Sequence, residues 1–389
     1  MNSFNYYNPT DIRFGWGRVK EIGEIVAQYG KKCCLVTGSG KSLEQLRESI
    51  TSLCKEAGID VKRYNGVSSN PTTDMVNAGT EVAKKHDANV ILGVGGGSSI
   101  DVAKAISVGV THEGDAWAYR VIDGKPIEDK LLPIIAVTTT AGTGTEVTPV
   151  SVITNPVIHL KYALADTLLC PNIAIIDPEV TLTMPAHVTA TTGWDAFCHS
   201  FESYTSQTSA FDYVDIHALE SMRLIIKYLP VAMKDGQNRD AREALHWANT
   251  LGGLSISNAG VTLPHGIGMA IGGNVSHIAH GEALALVYPE INRWTWKHKV
   301  KKYATVGRLF NPILKDESDM MAAEKACDEM DKFLKEIGMW MSFKDKNVKE
   351  NTLKEICIDT FKLPDYKNHA IVPEKDDVIN ILKKSYNRH

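Results

Sequence analysis

Asn89-Val-Ile-Leu-Gly-Val-Gly-Gly-Gly-Ser-Ser-Ile-Asp101 decides how the first half of the chain is read. Asn89 to Val94 is a short apolar run bounded by glycine, the pattern of a strand rather than an amphipathic helix. Gly95, Gly96 and Gly97 end it and let the backbone approach a ligand. Ser98 and Asp101 then have the spacing of a capping box that starts a helix. Free amides at the positive end of a helix dipole suit a pyrophosphate. The run is not the GxGxxG fingerprint, and a plain tight turn is the competing reading, so the flanking sequence has to decide.

The same alternation continues on both sides. Val19, Ile22, Ile25, Val26 and Tyr29 have helical spacing and stop at Gly30. Cys33 to Thr37 is apolar and runs into Gly38-Ser39-Gly40-Lys41, after which Leu43, Leu46, Ile50 and Leu53 restart a helix that Gly58 ends. Asp60 to Tyr64 reads as a strand, Asn70-Pro71 as a turn and Thr72 to Lys85 as a helix. Downstream, the strand Ile134 to Val137 leads into Thr138-Thr139-Thr-Ala-Gly142-Thr-Gly144-Thr-Glu146, a loop whose hydroxyls can bond phosphate or ribose oxygens. A self-supporting polar turn is the alternative there. Val150 to Asn155 and Lys161 to Ala165 look like a hairpin, and Ile173 to Asp177 like a further strand. Strands separated by helices of this length pair in parallel, which predicts an α/β doubly wound, Rossmann-like sheet with ligands beyond the carboxyl ends of its strands.

Near Pro185 the apolar period changes to three and four. Val214, Ala218, Met222 and Ile225 form one helical stripe, and Ala244, Trp247, Ala248 and Leu251 another. The expectation is a dinucleotide-binding domain over residues 1–185 and an all-α, metal-binding domain over 186–389, with a two-part site in the cleft between them. A chain of 389 residues suits two domains. A net charge of -4 gives no general pull toward nucleic acid or anionic membrane, and the Lys297–Lys302 cluster reads as a solvated helix face. No apolar run is long enough to span a membrane, and the start Met1-Asn-Ser-Phe lacks a signal-peptide pattern, so a cytoplasmic protein is expected. Seven cysteines without a CxxC pair read as reduced packing thiols, Cys198 included.

The helical half carries Gly193-Trp-Asp195-Ala-Phe-Cys-His199. Asp195 and His199, four apart, share one helix face. Pro264-His265-Gly266 and Ala279-His280-Gly281 offer two more imidazoles. One carboxylate with three imidazoles suits iron(II), or alternatively zinc, and suits calcium or magnesium poorly.

Together with Phe14-Gly15, Asn70-Pro71, Gly95 to Lys104, Thr138 to Glu146 and Asp177-Pro178, these motifs span nearly the whole chain. In that order the sequence resembles the iron-dependent (group III) alcohol dehydrogenase family, butanol-dehydrogenase-like. The resemblance implies metal ligation by Asp195, His199, His265 and His280. It implies dinucleotide contacts at Gly96, Gly97, Ser98, Thr138, Thr139 and Lys161, beside Gly95 and Asp101 of the same loop. It also implies a homodimer acting on a small alcohol or aldehyde, such as butanol and butanal, with NAD(H) or NADP(H).

Two departures from the family pattern stand out. Relatives often carry a histidine one turn after the third ligand, where this chain has Met269; thioether sulfur cannot relay a proton, which leaves water or His277. NAD-selective relatives often place an aspartate after the strand ending at Thr37, where Gly38, Ser39 and Lys41 stand here, so NADP(H) should be accepted and preferred. The alternatives are a polyol (glycerol-type) dehydrogenase on the same plan and a non-catalytic nucleotide- or metal-binding protein.

Overall fold

Leu35 and Val36 are neighbours in sequence and lie in different cores. Side chains alternate across a strand, so a run such as Cys33-Cys-Leu-Val must be covered on both faces. Cys33 and Leu35 pack with Ile22, Ile25, Ile50 and Cys54, whereas Cys34 and Val36 pack with Val76, Ala83, Val102 and Ile106. In this computed structural model, residues 3–388 are described apart from 129, 209 and 210. Met1 and Asn2, part of the N-terminal stretch read above, lie outside the described residues.

The strands are β1 (Asp11–Phe14), β2 (Lys32–Gly38), β3 (Asp60–Val67), β4 (Val90–Gly95), β5 (Ile134–Thr138), β6 (Val150–Asn155), β7 (Leu160–Ala165) and β8 (Ile173–Ile176). Six form a parallel sheet in the order β1-β8-β5-β4-β2-β3, and β6 and β7 pair as the antiparallel hairpin read from the sequence. Helices α1 (Ile22–Ala27) and α2 (Glu44–Glu56) contribute to the core on one face, and α3 (Thr73–Lys85) and α4 (Gly97–Thr111) to the core on the other. This is the expected doubly wound arrangement. The order also locates its switch point: β2 has β3 on one side and β4 on the other, so the crevice opens beyond Gly38 and Gly95.

Two local expectations change. Strand β1 was not legible, because Asp11-Ile-Arg-Phe14 is half polar. It becomes an edge strand by pairing with β8, and Asp177 fixes it by accepting the amides of Gly17 and Val19, each at 3.0 Å. The capping box at Ser98 and Asp101 does not form. The N-cap is Gly96, which puts Ser98 inside the first turn of α4.

Contacts divide the chain into two units, Tyr7–Met184 and the remainder from Pro185 onward, the latter joined by the few residues before Tyr7. The second unit consists of α5 (Ala186–Thr205), α6 (Asp212–Lys234), α7 (Arg239–Ala259), α8 (Leu263–Asn274), α9 (His280–Thr295), α10 (Val300–Phe310), α11 (Asp319–Glu336), α12 (Thr352–Thr360) and α13 (Lys375–Tyr386). Helix α5 lies at its centre and is buried almost all round, its polar face included. One stripe, Trp194, Phe197 and Phe201, stacks into the aromatic core. Another, Asp195, His199 and Glu202, is polar and equally buried. No described helix is long and apolar enough to cross a membrane.

Candidate active site

The polar stripe of α5 is where the second unit concentrates its chemistry. Asp195 Oδ1 lies 3.6 Å from His199 Nε2, one turn on. It lies 3.6 Å from His265 Nε2 on α8 and 3.8 Å from His280 Nε2 at the first residue of α9. These separations exceed a hydrogen bond. Donor atoms of Asp195, His199 and His265 all fall within 4.8 Å of one another, and all three residues are buried. Asp195 Oδ1 and His265 Nε2 are buried without a hydrogen-bond partner among the described residues. A carboxylate oxygen and a ring lone pair orphaned side by side are costly unless a cation joins them, so the residues present fit a divalent metal.

The electrostatics agree. Burial raises the Asp195 carboxyl, but His199, His280 and His265 outweigh it and hold the group well below the ordinary carboxylate range. Burial lowers the His265 imidazole, but Glu202 and Asp195 outweigh it and push the ring up to about 10. The two buried carboxylates make this a strongly negative pocket, the electrostatic setting a divalent cation needs.

Close backbone approach delivers His280. A Cβ on Gly281 would lie 2.1 Å from the Thr191 carbonyl oxygen, so only glycine lets the first turn of α9 rest on α5. Glu282 then fixes that turn by accepting the Ala279 amide at 3.1 Å, and it is itself held by Lys346 at 2.6 Å and faced by His187 at 3.3 Å. Glu202, which sequence reasoning missed, accepts from His265 Nδ1 at 2.6 Å. The spacing Asp195, His199, Glu202, one helix face at i, i+4 and i+7, was the available signal.

His277 does not join this cluster. It is exposed, and its Nε2 pairs with the Lys346 carbonyl at 2.9 Å, so that nitrogen is a donor with its proton committed. The expectation of a proton relay there is set aside. Cys198 packs as read: it is fully buried, and burial pushes its thiol well above the ordinary value.

In the first unit, the residues expected at a dinucleotide line the carboxyl edge of the sheet. Gly38 ends β2, with Ser39, Gly40 and Lys41 exposed beyond it; Gly95 ends β4 in register with Thr138 at the end of β5. The two glycine-bearing loops are built against each other. A Cβ on Gly96 would meet Thr140 Oγ1 at 3.0 Å, a Cβ on Gly97 would meet Thr143 Cγ2 at 2.6 Å, and the Thr139 amide donates to the Gly95 carbonyl at 2.9 Å. Thr138 and Thr139 are buried, and the Thr138 hydroxyl donates to the Thr140 carbonyl at 3.0 Å.

Asp101 is tied into the framework of the loop. Half-buried, its carboxylate accepts from Thr145 Oγ1 at 2.5 Å and from the Val152 amide at 3.1 Å. Lys104, one turn on and fully buried, donates to the carbonyls of Thr145, Thr148 and Val150 at 2.7, 2.7 and 2.8 Å. Lys161 on β7 reaches Asn70 Oδ1 at 3.1 Å. Arg47, buried beneath the Gly38–Lys41 turn, donates to the carbonyls of Gly38 at 2.5 Å and Gly40 at 2.8 Å. It also pairs with Glu44, whose other oxygen takes Arg63 at 2.7 Å.

Residues 9–178 match the family described as iron-containing alcohol dehydrogenase, and residues 189–386 match the C-terminal part of the Fe-containing alcohol dehydrogenase family. The chain is 37% identical to a choline dehydrogenase of Bacillus subtilis over 84% of its length and 81% of the relative's. It is 31% identical to a probable NADH-dependent butanol dehydrogenase of the same species over 99% of its length and 100% of the relative's. A crystal structure of a 1,3-propanediol oxidoreductase superimposes with a TM-score of 0.93 at 31% identity, covering 99% of this chain and 100% of that one.

Proposed function

This chain belongs to the iron-containing alcohol dehydrogenase family and is an NAD-linked alcohol oxidoreductase, and from that premise we propose that it interconverts short primary alcohols and aldehydes, of the butanol and butanal class, at a metal held by Asp195, His199, His265 and His280. The observation that carries the assignment of the ligands is the convergence of three ring nitrogens on Asp195 Oδ1, with that oxygen and His265 Nε2 lacking a hydrogen-bond partner among the described residues. A divalent iron or zinc ion held there would supply Lewis acidity toward an alcohol or aldehyde oxygen, and a nicotinamide dinucleotide would supply the hydride chemistry.

The protein's own residues do the rest. Asp195 supplies the one negative ligand. The amide-rich loops at Gly95 to Ser98 and Thr138–Thr139 would receive the dinucleotide, held in shape by Lys104 and Asp101, with Lys161 beside them. Met269 cannot carry a proton, so water is the proposed exchange partner for the substrate hydroxyl.

For the cofactor we propose that NADP(H) is accepted alongside NAD(H). The loop after β2 offers Ser39 and Lys41, and its nearest carboxylate, Glu44, is neutralised by Arg47 and Arg63. A homodimer in the cytoplasm completes the reading, checked by light scattering and fractionation.

The test is anaerobic purification, loading with iron or zinc, and reduction of butanal with NADH and with NADPH. Turnover that appears only after loading supports the reading. A loaded enzyme that oxidises glycerol and leaves butanal untouched would replace it with the polyol reading, and cofactor binding with no turnover of either would replace it with a binding protein.

A further inference from the structure

Glu202 is buried at the centre of the helical unit and is not one of the groups assigned to the metal. Four donors converge on it. The Thr262 amide donates to Oε2 at 2.7 Å and the Thr262 hydroxyl to the same oxygen at 3.1 Å, while Oε1 takes the Tyr288 hydroxyl at 3.0 Å and His265 Nδ1 at 2.6 Å. Thr262 is the residue at which α8 begins and His265 lies in that helix's first turn, so one carboxylate fixes both the helix start and the ring it carries.

The direction of every proton in this network follows from the carboxylate, which only accepts. His265 must carry a proton on Nδ1, so once the ring gives up its second proton the lone pair is on Nε2, the atom facing Asp195. The Thr262 hydroxyl spends its proton on Glu202, so it accepts from His369 Nδ1 at 3.1 Å. His369 Nε2 is then bare and accepts the Thr295 hydroxyl at 2.8 Å. One anion thereby sets the tautomers of two histidines.

We propose that Glu202 is a positioning residue of the metal site: it holds His265 as the Nδ1–H tautomer, aims Nε2 at the ion, and adds a second buried negative charge beside Asp195. The inference rests on the metal reading given above. A carboxylate behind a ligating imidazole orients the ring and raises its basicity, and losing one typically weakens metal binding about 10- to 100-fold. A glutamine does not replace it: its NH2 end, turned toward His265, would make Nδ1 the acceptor and move the ring proton to Nε2, and turned the other way it would meet the Thr262 amide, which only donates.

The experiment is competition with a chromophoric chelator for Zn2+, using the full-length wild type and the variants E202Q, E202D and H265A, alongside NAD+ affinity by fluorescence quenching. Glu202→Gln should weaken zinc binding about 10- to 100-fold with NAD+ affinity unchanged, and Glu202→Asp should recover part of the loss. Zinc affinity of E202Q within about twofold of wild type, with H265A strongly weakened, would overturn the positioning role and leave the metal site standing. If His265→Ala changes nothing, the metal reading itself fails and takes this inference with it. Should E202Q not fold, the nitrogen shifts of histidine in zinc-loaded wild type decide: a His265 protonated at Nδ1 and ligating through Nε2 supports the proposal, and the reverse tautomer overturns it.

Discussion

Asp195 Oδ1 and His265 Nε2 face each other at 3.6 Å, and neither atom has a hydrogen-bond partner among the described residues. A protein that leaves two buried polar atoms in this state has a third party to satisfy them. Metal should therefore bind the folded chain and not the unfolded one. At a free zinc concentration about 100 times the dissociation constant, the gain is about 2.7 kcal/mol. Thermal melts with and without a chelator check this, and Asp195→Asn should abolish the difference while lowering kcat/KM by more than about 100-fold, beyond the effect of an outer-shell change.

How far this site could be read in advance depended on distance along the chain. Asp195 and His199 follow from helix geometry, and His265 and His280 from motif wording. Glu202 sits on the same face as the first pair and was passed over because its partners, Thr262, His265 and Tyr288, are some 60 to 86 residues away. Asp101 was misread for the same reason: its spacing from Ser98 imitates a cap, and its real partner, Thr145, is 44 residues on. The alternating strands of the first unit were legible because burial on both faces leaves a continuous apolar run. Strand β1 was not, since half of its surface is never buried.

The turn after β2 makes a second prediction. Ser39 is exposed, Arg47 holds the turn by the backbone rather than by its side chains, and Glu44 is occupied by two guanidinium groups. Ser39→Asp should add the missing carboxylate without disturbing the turn, disfavouring a 2′-phosphate. The ratio of kcat/KM for NADPH over NADH should fall by about tenfold, roughly the 1.4 kcal/mol of one added like-charge contact. An unchanged ratio would place the adenosine ribose elsewhere.

Lys104 ties three carbonyls of the Thr145–Val150 segment to α4. Burial lowers its ammonium to about 8, against the opposing pull of Asp101. Replacing it with methionine keeps the stem and strands those carbonyls, so the loop packed on Gly97 should loosen. The expected result is a KM for the dinucleotide raised several-fold with the metal content unchanged. A defect in metal content with normal KM would contradict this role.

Arg388 meets a carbonyl that Pro289 leaves open. Proline has no N–H for the residue four before it, so the Ala285 carbonyl inside α9 lacks its helical donor. Arg388 Nη1 supplies one at 3.3 Å, and Nη2 binds the next carbonyl, Leu286, at 2.8 Å. Arg388→Ala should cost about 2 kcal/mol, chiefly through the orphaned Ala285 carbonyl. A melting temperature unchanged in the variant would show that water replaces the guanidinium fully.

His246 gives the pH dependence its sign. The ring on α7 is fully buried, neither nitrogen has a hydrogen-bond partner among the described residues, and burial, aided by the charge of Arg242, lowers it from 6.5 to about 3. The folded state therefore keeps the ring neutral where the unfolded chain would protonate it. Its share of stability is complete above about pH 6.5 and is lost as the pH falls toward 3, at about 1.4 kcal/mol per unit. His369, lowered by burial to about 4, adds a parallel loss. His246→Leu removes the first of these contributions. In urea unfolding, the stability of the variant relative to wild type should therefore improve by about 2 kcal/mol between pH 7 and pH 5, whatever the packing change does at pH 7. Equal acid sensitivity of the two proteins would mean that the buried ring is already charged in the folded state, or that the unfolded chain never titrates it freely.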